Sequence, residues 1–228
     1  MELRNNIERT KSILLAFRAL RISLVGAMVL EVISVFMSWG AIVQDISLIV
    51  TTIQQLLFYS NIGLTSVATV LFLRWFYRAY ENAIIIALDE KIYRQHLYQQ
   101  GLGLQFELND AFWAWFIPII NLKRPKLILL EMWRIYKIPT SITGIDEGTG
   151  GIIKRWWTCC LIAVGTIVIV NGVSNFFDTT LVQSGVLICY LLLLKALRYI
   201  ILIIKNIAES EGFFTEIGSE HNFHPFYN

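Results

Sequence analysis

The chain of 228 residues is 56% apolar, and its mean hydropathy is +0.59. Charged residues make up 16% of it, against about 25% in ordinary soluble domains. This composition excludes an ordinary soluble domain and indicates an integral membrane protein. The net charge of +2 gives no reason to expect a nucleic-acid partner.

Four apolar runs are long enough to cross a bilayer, since about 20 residues of helix cover a hydrocarbon core of about 30 Å. The N-terminal residues are too charged for a signal peptide, so the first run is predicted to be an uncleaved anchor. The sequence therefore predicts an all-α fold, an integral membrane four-helix bundle that forms a single domain over residues 1–228. The predicted spans are about 22–43, 52–73, 156–174 and 181–204.

The lysines and arginines follow the predicted spans in a regular alternation. Five of the 19 precede the first span, eleven lie between the second and third, and the last three are Lys195, Arg198 and Lys205. The two remaining loops carry no lysine or arginine, and their charged residues are Asp45 and Asp178. By the positive-inside rule, both termini and the long middle segment are predicted to be cytoplasmic.

The middle segment, about residues 74–155, is predicted to form a collar at the cytoplasmic face. Its apolar run at 111–122 is too short to span and contains Pro118, so we expect a short re-entrant or interfacial piece there. Pro125 suits the first turn of an amphipathic helix that runs to about Lys137 and lies in the membrane interface. The apolar stripe of this helix includes Ile128, Met132 and Ile135.

Span two is predicted to continue into the collar as a helix, which Gly101 and Gly103 end. On this helix Glu81 is three residues after Arg78, a spacing at which two opposite charges can pair. At the other end of the collar, residues 144–151 are rich in glycine and are predicted to be a flexible loop into span three.

Three segments of the collar, taken in order, resemble the bacterial domain-of-unknown-function family 4328. They are "FLRWFYRAYENA" at 72–83, "WAWFIPIINLKRP" at 113–125 and "EMWR" at 131–134. The resemblance covers roughly residues 55–205 and implies a multi-pass membrane protein, without implying any activity. Lys123 and Lys126 stand where many members would have an aromatic residue, which makes the interfacial helix more cationic here. With the charge pattern, the resemblance predicts a protein of the cell inner membrane.

The first candidate site is a cluster of charged and polar residues in the collar. It suits an anionic lipid headgroup or a phosphate-bearing ligand, because arginine presents a planar fork of donors and a tryptophan lies nearby. The alternative is a set of salt bridges that locks the re-entrant piece onto span two. The cluster consists of Arg74, Arg78, Asn82, Asn121, Arg124, Glu131, Trp133 and Arg134.

The second candidate site consists of polar residues within the spans. Glu31 lies near the predicted middle of span one, where it is a proton or cation site, one half of a packing pair, or a protonated carboxyl that faces a polar neighbour. Lys195 is its nearest candidate partner. Gly165 and Gly172 are candidates for close helix contact. Span two has a polar row that would line a pathway or form hydrogen bonds between helices: Gln54, Asn61, Thr65 and Thr69.

No enzymatic centre is expected. The three cysteines lie in apolar runs without metal or disulfide spacing, and His96, His221 and His224 do not complete a catalytic or metal-binding set. We therefore expect no enzyme activity, no cofactor and no metal. The leading hypothesis is a membrane scaffold or sensor whose collar engages anionic lipid, a partner protein or a second copy of the chain. The alternative is a small oligomeric transporter or channel that uses Glu31.

Overall fold

The computed structural model describes residues 3, 5–39, 44–88, 105–116, 123–136, 150–173 and 179–221. Within these ranges the regular secondary structure is helical and no strand occurs. The helices of the described ranges are α1 (Ile7–Trp39), α2 (Gln44–Leu88), α3 (Leu108–Trp113), α4 (Arg124–Tyr136), α5 (Gly150–Val173) and α6 (Thr179–His221).

Four of these helices are long and apolar enough to cross a membrane, which confirms the predicted all-α fold with four spans. The candidate spans are Ile7–Phe36, Leu48–Leu88, Gly150–Val170 and Val182–Phe214. The helices are longer than the predicted spans, because the apolar runs mark only the part of each helix that lipid would surround. At about 1.5 Å per residue, the 45 residues of α2 measure roughly 68 Å, about twice a hydrocarbon core.

The chain divides into two compact units. One, here called the apolar unit, comprises Ile13–Leu71 and Arg155–Ile201. The other, here called the polar unit, comprises Met1–Ser12, Phe72–Lys154 and Leu202–Asn228. That the whole chain forms a single membrane domain stays a prediction.

The apolar unit exposes large aliphatic side chains. Leu56, Val164 and Val168 are each at least 60% exposed. Two hydroxyls on the same helices find partners close by: those of Ser66 and Thr166 each donate to the carbonyl four residues earlier. Apolar outer surfaces with internally satisfied polar groups are what a lipid environment requires.

Helices α5 and α6 approach closely at one glycine of the apolar unit. A Cβ added at Gly185 would lie 2.5 Å from Cγ2 of Val170, so a larger side chain there would require Val170 or the helices to shift. At Gly165 and Gly172 an added Cβ would meet nothing within 4 Å. The close contact therefore occurs at Gly185, and not at the two glycines considered from the sequence.

The polar unit has a core that mixes rings with polar groups. Trp75, Tyr80 and Tyr136 are at most 1% exposed. Of the residues that the structure describes, the buried polar or charged ones all lie in this unit. They are Asn6, Thr10, Asn82 and Glu211.

Helix α4 begins where the sequence indicates, with Pro125 in its first turn. The predicted apolar stripe exists, but protein covers it: Ile128, Met132 and Ile135 are at most 4% exposed. Leu127, on another side of the helix, is 46% exposed. The stripe assigned to the membrane interface therefore packs inside the polar unit, since protein core and lipid both accept an apolar face.

Three predicted collar features differ from the structure or lie outside the described residues. Helix α5 already begins at Gly150, where a loop was predicted; Ile153, in the same turn, is fully buried, so packing outweighs the low helix propensity of glycine. The rest of that predicted loop, the predicted helix end at Gly101 and Gly103, and Pro118 lie outside the described residues.

Candidate functional site

The carboxyl group of Glu211 is the centre of a hydrogen-bond network in the polar unit. Its Oε1 atom accepts from Nδ2 of Asn82 at 2.9 Å and lies 2.8 Å from the hydroxyl oxygen of Tyr136. Its Oε2 atom accepts from Nδ2 of Asn6 at 3.2 Å. Glu211 itself is 8% exposed. Four separate stretches of the chain thus meet at one buried carboxyl, which is costly to bury without such partners.

The Tyr136 hydroxyl lies between two oxygen atoms of this network. Its oxygen is 2.7 Å from the carbonyl oxygen of Ala79 and 2.8 Å from Oε1 of Glu211, and neither acceptor carries a proton of its own when Glu211 is ionised. Burial raises the pKa of Tyr136 well above its ordinary value, and Glu211 acts in the same direction, so the phenol keeps its single proton. A single phenol proton can bond only one of these oxygens well, so both contacts are strong hydrogen bonds when Glu211 supplies a second proton. The geometry therefore favours a neutral Glu211.

A second tyrosine–glutamate pair lies in the same unit. The hydroxyl of Tyr80 is 2.9 Å from the carbonyl oxygen of Phe106 and 3.2 Å from Oε2 of Glu131. The other carboxyl oxygen accepts from the backbone N–H of Gln105. Desolvation raises the pKa of Glu131, while the bonds from Gln105 and Tyr80 and the charge of Arg134 oppose this rise. Glu131 thus fastens the chain before α3 to both α2 and α4.

Aromatic rings hold the segment after α3 against α2. The ring of Trp115 meets Phe72 edge-on at 5.1 Å and Phe76 at 5.3 Å between centroids. One turn along, Phe112 meets Tyr77 at 5.9 Å. Such edge-to-face pairs add to the burial of apolar area. Ring contacts therefore hold the described part of the predicted re-entrant piece on α2. From the sequence, salt bridges were one alternative for this role.

Three arginines come together in the polar unit. The guanidinium of Arg9 donates to the backbone carbonyl of Arg74 at 3.1 Å, and its charge interacts with those of Arg78, Arg74 and Glu81. Arg78 pairs with Glu81 at 2.9 Å, as predicted from their spacing. The Nε atom of Arg78 is buried and has no hydrogen-bond partner among the described residues. We call Arg9, Arg74 and Arg78 the arginine cluster.

The structure separates the residues of the first candidate site. Arg74 and Arg78 belong to the arginine cluster, whereas Asn82 and Glu131 face the two carboxyl networks. Trp133 is 3% exposed and belongs to the core. The two remaining arginines lie exposed on α4, and Asn121 lies outside the described residues. The exposed pair is Arg124 and Arg134.

The second candidate site lies in the apolar unit. Oε2 of Glu31 accepts from Nε2 of Gln54 at 3.2 Å, so the described partner of Glu31 is this amide and not Lys195, which is exposed. Both amide atoms of Asn61 are buried without a hydrogen-bond partner among the described residues. The hydroxyl of Thr69 donates to the Thr65 carbonyl of its own helix.

Sequence reasoning missed Asn6, Arg9, Tyr136 and Glu211. One signal could have found Glu211: it continues the stripe of buried residues on α6 at the three- and four-residue spacing of a helix. Tyr136 likewise continues the buried face of α4, four residues after Met132. Asn6 and Arg9 offer no comparable signal, because their role depends on contacts with distant parts of the chain. The buried stripe of α6 consists of Ile200, Ile203, Ile204, Ile207, Glu211 and Phe214.

These features define an all-helical, multi-pass membrane protein that combines apolar spans with a buried polar network. The model of the family described as "Domain of unknown function (DUF4328)" matches residues 40–209. The chain belongs to this family, which confirms the resemblance seen in the collar motifs. No curated protein and no solved structure matches the chain. Asn6, Arg9 and Glu211 lie outside the matched range.

Proposed function

We propose that the protein is a non-enzymatic membrane scaffold or sensor whose arginine cluster binds the anionic headgroup of a lipid. One observation carries the proposal. Arg9 donates to the Arg74 carbonyl, and its guanidinium charge interacts with those of Arg78 and Arg74, with Glu81 as the nearby carboxylate. Like charges this close repel one another, and an anion bound among them would remove that repulsion.

The geometry of Arg78 supports an oxyanion in particular. One terminal nitrogen is engaged by Glu81, while Nε is buried without a partner among the described residues. A buried donor without an acceptor is costly, and a phosphate oxygen drawn into the cluster would supply the acceptor. Arginine is suited to this task because its planar fork matches phosphate geometry.

We further propose that the cluster lies on the cytoplasmic side of the cell inner membrane. The charge alternation supports this placement, because residues 1–21 and 74–155 carry sixteen of the 19 lysines and arginines. Anionic lipids of the inner leaflet attract basic groups by about 1 kcal/mol for each residue near the surface. An impermeant thiol reagent added to intact cells should label cysteines engineered near Asp45 and Asp178, and should not label one near Gly148. The reverse labelling would contradict the placement.

The main test compares two double variants in nanodiscs with and without phosphatidylglycerol. R9A/R78A removes two charges from the arginine cluster, and R124A/R134A removes two exposed charges from α4. We expect the first to weaken retention of phosphatidylglycerol by about 2 kcal/mol, roughly 30-fold, as measured by native mass spectrometry. The second should change it much less. Equal retention by wild type and R9A/R78A would contradict the proposal.

Two further arms identify the ligand. R78K keeps the positive charge but loses the guanidinium fork, so it should bind phosphatidylglycerol more weakly than wild type. Inorganic phosphate added to the wild-type protein should leave lipid retention unchanged if the headgroup is recognised together with its membrane. Displacement of the lipid by free phosphate would assign the cluster to a soluble phosphate-bearing ligand instead.

A second candidate function, a small oligomeric transporter or channel, also has an observation in its favour. The carboxyl of Glu31 and the amide of Gln54 meet within two candidate spans, and an acid within a membrane span is a functional candidate by default. Proton or cation flux into vesicles containing the protein should then be abolished by E31Q. Absence of flux for protons, sodium and potassium with the wild-type protein would exclude this function.

A further inference from the structure

The polar unit contains a cavity that the lipid-binding proposal does not use. Its volume is about 460 Å³, within the range of roughly 300–1,000 Å³ typical of small-molecule sites. The first residues of the chain, α2 and α6 all contribute to its wall. Its polar lining includes Asn6, Thr10, Asn82 and Glu211, and its apolar lining includes Ile7 and Ala208.

Asn6, which lines this cavity, has an unused hydrogen-bond acceptor. The residue is 3% exposed, and its Nδ2 atom donates to Glu211. This bond fixes the amide with its nitrogen toward the carboxyl group. The Oδ1 atom is consequently the free end of the amide; it is buried and has no hydrogen-bond partner among the described residues. A buried amide oxygen without a donor is costly, so the site favours a ligand that supplies one.

The neighbouring polar groups point to the same chemistry. The Thr10 hydroxyl proton is donated to the Asn6 carbonyl at 3.0 Å, which leaves the Thr10 oxygen able to accept. Asn82 directs an N–H into Glu211, so this donor is already engaged. Asn6 and Thr10 therefore offer acceptors beside apolar side chains, while Lys11, which also lines the cavity, pairs its ammonium group with Glu8 at 3.3 Å.

From this arrangement we propose that the cavity binds a small amphipathic molecule whose polar end donates an N–H or O–H to Asn6. Alkyl or arylalkyl alcohols and primary amines belong to this class. The apolar body of the ligand contacts Ile7 and Ala208, and its donor reaches the Asn6 oxygen. This site is separate in its residues from the arginine cluster, so its occupancy does not depend on anionic lipid.

The cavity can be filled without touching the polar network. Gly212 lines the cavity, lies on α6 and is exposed, and a Cβ added there would meet nothing within 4 Å. The G212L variant therefore places a side chain at the cavity while gaining helix propensity. We expect it to fold at least as well as wild type. A second variant, N6A, removes the acceptor itself but also the hydrogen bond to Glu211.

The experiment uses the full chain in phosphatidylcholine nanodiscs and two matched probe pairs. Phenethyl alcohol is compared with its methyl ether, and phenethylamine with its trimethylammonium analogue; methylation removes the donor in each pair. Saturation-transfer NMR measures binding, and the signal from empty nanodiscs is subtracted to remove partition into lipid. We expect the donor-bearing probe of each pair to bind about fivefold more tightly, the factor expected for one hydrogen bond.

The variants locate the binding. G212L, with its folding checked by thermal unfolding, should abolish saturable binding of the alcohol and the amine. N6A should remove the preference of the protein for donors over their methylated partners. Equal affinity for the two members of each pair would overturn donor recognition. Undiminished binding to folded G212L would overturn the location, and absence of saturable binding of all four probes to wild type would overturn the proposal as a whole.

Discussion

Replacement of Glu211 tests the hydrogen-bond network at the centre of the polar unit. The carboxyl receives donors from Asn6 and Asn82 and meets the hydroxyl of Tyr136, and all of these groups are buried. E211A leaves the two amide donors without an acceptor. Each hydrogen bond that the variant removes should cost about 1–1.5 kcal/mol, and the small cavity adds to this cost. We therefore expect the free energy of unfolding to fall by about 3–4 kcal/mol.

E211Q distinguishes the two protonation states. Glutamine resembles the neutral acid in shape and charge, and rotation of the Asn6 amide lets it accept a hydrogen bond from the new Nε2 group. If Glu211 carries a proton, as the two contacts of Tyr136 indicate, E211Q should cost about 1 kcal/mol or less. If Glu211 is ionised, each of its hydrogen bonds is charge-assisted and about twice as strong, so the loss of charge should cost several kcal/mol.

The assay is equilibrium unfolding in mixed micelles, followed by tryptophan fluorescence. Glu209 provides the matched control, because it lies two residues earlier on the same helix and is exposed. E209A should change the free energy of unfolding by about 0.5 kcal/mol or less. A loss with E211Q as large as with E211A would refute the neutral network, and a small loss with E211A would refute the structural role of Glu211.

Two further predictions concern Glu131 and Trp115. The folded state raises the pKa of Glu131, so the folded protein keeps the carboxyl proton at pH values where the unfolded chain has lost it. The free energy of unfolding should therefore fall as the pH rises above the ordinary value of 4.5. In E131Q, the free energy of unfolding measured against pH should be flatter in this range. An unchanged slope in E131Q would contradict this. W115A should lower the free energy of unfolding by about 2–4 kcal/mol through loss of its contacts with α2, whereas W113A, at a residue 58% exposed, should cost about 1 kcal/mol or less. Equal effects of the two tryptophan variants would refute the ring contacts.

The helices and the contacts within one helix could be predicted from the sequence, because both depend on neighbouring residues. The four apolar runs locate the spans, Pro125 locates the start of α4, and the spacing of Arg78 and Glu81 predicts their ion pair. Whether an apolar helix face contacts lipid or other helices of the protein could not be predicted in the same way. Ile128 lies on an apolar stripe, and such a stripe fits lipid and protein equally well.

The candidate sites were harder to predict because they join distant residues. Asn6 and Glu211 are 205 positions apart, and Arg9 and Arg74 are 65 apart. Nothing in the local sequence of Asn6 distinguishes it from Asn5, which precedes α1 and accepts from the N–H of Ile7. Only the fold decides which of two adjacent asparagines becomes part of a buried network.

The hydrogen bond between Asn6 and Glu211 has a practical consequence for anyone shortening this chain. Asn6 precedes the range that the family model matches and Glu211 follows it. Their hydrogen bond, here called the clasp, therefore joins the segment before this range to the segment after it. A fragment trimmed to residues 40–209 would lose the clasp, Arg9 and part of the wall of the cavity. Such a fragment would also lack the first candidate span, Ile7–Phe36, so it would contain neither the full set of spans nor either proposed binding site in its complete form.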